Sequence, residues 1–189
     1  AEGDRLVDGG AEQNGAKVDA SRRDTLAGAL EEGLAGLDTR VDDGDRAERL
    51  EGVEVACGNN PPGVVSFSLE QAFGWSCNLT FARLGTALGT ERWARHALAF
   101  GIAEAPPFPL PAVAGSLGTD QAPAGAELVE AAFGQGRLLV TPLHMALMAA
   151  AVAGDGMLPK PYLLRDVPGV NWRRIADDRG GWRRALSPG

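Results

Sequence analysis

The segment from Thr141 to Ala153 constrains this chain more than any other. It opens with a hydroxyl-bearing N-cap residue, Thr141. Pro142 follows at the first helical position, where a missing backbone N–H costs nothing. From Leu143 to Val152 only His144 is polar, and Gly154-Asp155-Gly156 ends the run. A helix apolar on nearly every side belongs in the centre of a fold, with other elements packed around it. The pattern therefore predicts that Leu143, Ala146, Leu147 and Ala150 are almost fully buried. The run is also too short to cross a bilayer, which takes about 20 apolar residues.

The elements around that helix are set by caps and breakers. A helical pattern over Ala20 to Glu32 puts Leu26, Ala29 and Leu30 on one face, with Gly33 at the C-terminal cap position. Residues 1–18 are Gly-rich and polar and read as a flexible N-terminal segment, with room for a short strand near Leu6 and Val7. Asp38 to Asp45 is charged and turn-like, and Gly58-Asn59-Asn60-Pro61-Pro62-Gly63 is the strongest loop signal. Ser68 and Gln71 form a capping box for a helix that buries Leu69, Ala72 and Phe73. That helix runs into Ser76-Cys77-Asn78 and restarts with Phe81, Leu84 and Leu88. Gly89 breaks it and Thr90 caps a continuation to Phe100. Residues 104–126 are rich in Pro, Gly and Ala and read as an extended surface loop. Val170 to Ala176 and Trp182 to Leu186 flank a Gly-containing turn and read as a hairpin.

Charge and cysteine content narrow the function classes. A formal net charge of −7 over 189 residues gives no general attraction to nucleic acid or to an anionic membrane surface. No apolar leader is visible in Ala1 to Asp24, which fits a cytosolic chain or a mature one. Cys57 and Cys77, with only His96 and His144 to help them, match no zinc spacing, so no metal is expected. A disulfide and two free thiols both stay open on spacing alone. No Gly-rich phosphate loop is present, since Gly134-Gln135-Gly136 is too short, and no cofactor is expected.

Few residues offer chemistry. His96 and His144 each lie in a helix among apolar neighbours and read first as packed side chains. Ser76 and Asn78 lie two residues apart at a break between helices. There a hydroxyl can relay a proton and an amide can hold a substrate amide in one cleft. By spacing alone they read first as caps of the second helix.

Several segments, in order, resemble the transpeptidase domain of penicillin-binding proteins. Ser68 through Gly85, containing Ser76-Cys77-Asn78, resembles the segment with that family's Ser-x-Asn motif. Leu98 to Ile102 resembles its Phe-Gly segment, and Phe133 to Ala146 its Gly-Gln-Gly and Thr-Pro-Leu helix start. Ala153 to Gly156 and then Pro161-Tyr162-Leu163 resemble the family's segment after that helix. Thr25 to Gly33 resembles the helix carrying the nucleophile. The resemblance covers residues 19–164. It implies a mainly α structure, the helical part of the transpeptidase fold, with a small or residual antiparallel sheet and a C-terminal tail over 165–189. Some family members carry Ser-Cys-Asn with a second cysteine upstream, which implies a Cys57–Cys77 disulfide and a site of action outside the cytoplasm.

The same resemblance marks departures. The family's nucleophile lies in a Ser-x-x-Lys motif, and an ungapped alignment of that helix puts Asp19 at the serine and Arg22 at the lysine. Arg22 cannot act as a neutral base, because its pKa stays above about 12. No Lys-Thr-Gly follows Tyr162. The resemblance thus implies a catalytically degenerate domain in cell-wall assembly, with Ser76 and Asn78 lining its cleft. Its partners would be a peptidoglycan stem peptide, a beta-lactam or cell-wall assembly proteins. The alternatives are a fragment of an active serine transpeptidase that binds penicillin, and a stand-alone interaction protein that reuses the helical scaffold.

Overall fold

The computed structural model describes residues 10–118, 121–163 and 181–188, the first ten of these by backbone alone. In chain order the elements are α1 (Gly10–Glu31), β1 (Arg40–Val41), β2 (Ala47–Leu50), β3 (Val53–Ala56), β4 (Phe67–Ser68), α2 (Leu69–Gly74), α3 (Asn78–Ala99), α4 (Ala126–Ala132), α5 (Pro142–Ala153), β5 (Met157–Pro159) and β6 (Gly181–Arg184). The architecture is mainly α. Among the described residues the strands form three separate antiparallel pairs, β1 with β4, β2 with β3 and β5 with β6.

The caps legible in the sequence form as expected. Ser68 accepts from the Gln71 backbone N–H while the Gln71 side chain accepts from the Ser68 N–H. At Thr141 the box is completed by His144. At Gly89, with φ 75° and ψ 163°, the backbone leaves the helical region inside α3. That left-handed φ strains an L side chain but not glycine.

The kink has a packing consequence, because α3 serves two apolar cores. Before Gly89, Leu79, Phe81 and Ala82 pack with Phe67, Leu69, Ala72 and Cys77. From Leu88 onward, Trp93, Ala94 and Ala97 pack with Phe100, Ile102, Leu147 and Met148. The short helix α4 bridges the two, giving Leu128 and Ala131 to one core and Val129 and Phe133, just past its end, to the other. It approaches α3 closely: a Cβ on Gly85 would collide with that of Ala132. Polar anchors reinforce these contacts. Asp43 is buried, accepting from the Thr80 hydroxyl at 2.8 Å and from Arg83, which also reaches Glu48. This cluster ties the β2–β3 hairpin to α3.

Two expectations need correction. The first helix begins at Gly10, ten residues before the apolar pattern starts. Its early turns bear polar and small side chains that carry no 3.6-residue signal. Leu6 and Val7 lie outside the described residues. Helix α5 is not buried all round. His144, Leu147, Met148 and Ala151 are buried, but Leu143 and Ala150 are half-buried and Ala146 is exposed. Composition fixes that a helix is apolar, and only the neighbours fix which sides are covered. Strand β6, which carries Trp182, pairs with β5 where the chain returns at Met157. Residues 170–176 lie outside the described residues.

Candidate functional site

The candidate site is assembled by α1 and the break between α2 and α3. Along α1, successive polar side chains serve different neighbours. Ser21 is fully buried and donates its hydroxyl to the Ala131 carbonyl. Thr25 donates to the Ala132 carbonyl at 2.9 Å and accepts the Trp93 indole N–H at 2.9 Å. These bonds dock α1 onto the C-terminal end of α4 and leave Ser21 with no exposure for attack on a substrate.

Between them, Arg22 turns the other way. It is 7% exposed, and its Nη2 donates to the Oδ1 of Asn78, 56 residues later. Two of the residues singled out in the sequence are therefore in contact. Asn78 is the first residue of α3, and its amide nitrogen has no partner among the described residues. Ser76 sits at φ 58°, a left-handed conformation that costs a non-glycine residue on the order of 1 kcal/mol or more. Its backbone N–H bonds the Phe73 carbonyl, and its side chain is half-buried. The side chain of Asp19 lies outside what is described.

Cys77 fixes this turn. It is bonded to Cys57, with the two Cα atoms 4.5 Å apart, inside the range a disulfide requires. Its sulfur also caps α3, accepting from the Thr80 backbone N–H at 3.5 Å. The residue between Ser76 and Asn78 is thus held by a covalent link to the segment after β3.

The two histidines have structural partners. His144 Nδ1 lies 2.7 Å from the Thr141 hydroxyl, and its Nε2 lies 2.9 Å from the Glu104 carbonyl oxygen. It fastens the start of the Pro-rich loop to α5. His96 Nε2 lies 3.1 Å from Glu32, which also accepts from Arg95 at 2.7 Å. The His96 bond holds the Glu32 carboxyl below its ordinary value, partial burial opposes this, and Arg95 adds to it. No group of three or more metal-ligating side chains occurs among the described residues.

The Arg22–Asn78 contact joins α1 to the start of α3. A family model for the penicillin binding protein transpeptidase domain matches residues 25–179. The chain belongs to the penicillin-binding-protein transpeptidase family. It is 35% identical over 133 residues to the peptidoglycan D,D-transpeptidase PbpA of Mycolicibacterium smegmatis, covering 70% of this chain and 26% of that protein. Penicillin-binding protein 3 of Bacillus subtilis is 29% identical over 97 residues, 51% of this chain and 14% of that one. Among solved structures, the penicillin G acyl-enzyme complex of penicillin-binding protein A from M. tuberculosis superposes with a TM-score of 0.70 at 28% identity, over 90% of this chain and 40% of that one. A D,D-transpeptidase domain from Eggerthella lenta gives 0.68 at 25% identity, over 89% and 44%. The chain spans about a quarter of the length of the curated relatives it matches first.

Sequence reasoning missed the buried Asp43–Thr80–Arg83 cluster, whose acid lies in a stretch that reads as a solvated turn. The available signal was Thr80 and Arg83 at i and i+3, facing the same way from α3. It also missed that α1 carries Asp24 fully into the interior.

Proposed function

We propose that this chain is a transpeptidase-family module of peptidoglycan assembly that holds stem peptide in its Ser76–Asn78 cleft without acylating a serine. The observation that supports this most is the Arg22–Asn78 hydrogen bond. The neutral amine expected of a lysine at that position could take a proton from a hydroxyl. A guanidinium stays charged, so it can orient and attract but cannot act as a base. With its Oδ1 taken by Arg22, Asn78 offers its amide N–H groups to a carbonyl of a bound peptide. Ser76 adds a hydroxyl beside it, and the disulfide at Cys77 keeps both in place. In this reading Asp19 and Arg22 are the altered nucleophile-motif positions, and the module acts outside the cytoplasm. Residues 19–164 form the working unit, flanked by the N-terminal segment and the 165–189 tail.

The test is reversible binding of a stem peptide ending in D-Ala-D-Ala, measured by calorimetry. Asn78→Ala should weaken binding about tenfold or more, while circular dichroism and melting stay close to wild type. No binding by the intact chain, or unchanged affinity in Asn78→Ala, would remove the cleft from the account.

A further inference from the structure

A cavity of about 350 Å3 lies between α1 and α5 with α2 at one side. None of its lining residues belongs to the Arg22–Asn78 pair. Its apolar walls are Leu26 and Leu30 from α1, Phe73 from α2, and Ala149 and Val152 from α5. It lies along the side of α5 that the sequence leads one to expect in the interior. Val152 is 59% exposed there.

The charged groups of the cavity are arranged by position along α1. Arg23, Ala27, Leu30 and Glu31 fall on one stripe of the helix, at i, i+4, i+7 and i+8. Glu31, at one end, is occupied: the Ser187 backbone N–H and hydroxyl donate to it at 3.2 and 2.7 Å. That contact also brings Leu186 into the wall. Arg23, at the other end, is half-buried and makes no ion pair or hydrogen bond among the described residues. A partly desolvated cation facing an apolar trough, with no counter-charge paired to it among the described residues, is electrostatically incomplete. The trough is within the size range of small-molecule sites, and its walls are apolar with charge at one end, as such sites are.

We propose that this groove binds a monomeric amphiphile with an anionic head, its carboxylate on Arg23 and its apolar tail running toward Leu30 and Val152. From Arg23 to Leu30 the helix rises about 10 Å, which sets the length of tail the trough can cover. The occupied Glu31 at the far end disfavours a second negative group, so the ligand has one acidic end. Arginine is suited to such a head group, since its planar fork can meet both carboxylate oxygens.

The probe is decanoate below its micelle concentration, titrated into the intact chain by calorimetry. Decanol and decyltrimethylammonium serve as controls of equal tail length. The expected result is saturable one-to-one binding of decanoate, tighter than either control. Arg23→Gln should weaken decanoate about tenfold and leave decanol unchanged, and Arg23→Lys should restore most of the difference. Val152→Glu, at an exposed position that folding tolerates, should abolish decanoate binding. The proposal is overturned if decanoate fails to bind, or if the three head groups bind alike. It is also overturned if Arg23→Gln changes nothing, or if the chain associates only with phosphatidylglycerol vesicles.

Discussion

Replacing Asp24 by asparagine should stabilise this protein at neutral pH. Asp24 is fully buried on α1, and neither carboxyl oxygen has a hydrogen-bond partner among the described residues. Burial pushes its pKa well above the ordinary value. The folded state therefore holds a proton that the unfolded chain releases near pH 4. Stability linked to this group is fully present below the unfolded pKa. It is lost as pH rises toward the folded pKa, at about 1.4 kcal/mol per pH unit within that window. Asparagine keeps the shape and much the same cost of an unsatisfied buried polar group, about 1–3 kcal/mol, but does not titrate. The two proteins should therefore be about equally stable near pH 4. As pH rises from there toward 7 the variant should pull ahead. Urea unfolding of both proteins across this range, read as a difference curve, cancels the other carboxylates. A flat difference curve, or an asparagine variant less stable than wild type at pH 7, would mean that Asp24 is ionised and paired, refuting the argument.

Three further outcomes rest on packing and cross-linking. Reducing the Cys57–Cys77 bond, which closes a 20-residue separation, should cost roughly 3 kcal/mol in urea unfolding with and without dithiothreitol. Leu147, 3% exposed in the larger core, should cost about 2–5 kcal/mol when replaced by alanine, whereas the exposed Ala146→Ser should stay within about 0.5 kcal/mol, both read by thermal melts. Gly85→Ala should destabilise by about 1–3 kcal/mol, because its methyl meets Ala132 across the α3–α4 contact; a neutral result would show that the two helices separate freely.

Much of the local structure was legible in the sequence, because caps and breakers act over a few residues. The boxes at Ser68 and Thr141 and the break at Gly89 each rest on chemistry confined to one turn. Burial was less legible, since it depends on partners far along the chain. The apolar run of α5 looks the same whether or not its Val152 side is covered. Asp24 and Asp43 look like solvated acids until the fold surrounds them. The pairing of β6 with β5 joins segments too distant for pattern reading. At the candidate site, the sequence singled out Arg22 and Asn78 separately, the first by alignment and the second by its motif. Their contact is a tertiary fact. The role of Ser21, next to Arg22, was decided by which side of α1 meets α4.

The most direct test of the central claim is intact-mass analysis after incubation with penicillin G. The account predicts no adduct on a serine: Arg22 cannot serve as a base, Ser21 is buried against Ala131, and no amine is hydrogen-bonded to the Ser76 hydroxyl among the described residues. Peptide mapping should find the hydroxyls of Ser21 and Ser76 unmodified. A mass increase of one intact antibiotic that maps to Ser76 or Ser21, and is lost when that serine is replaced by alanine, would contradict the account and establish an acylating enzyme.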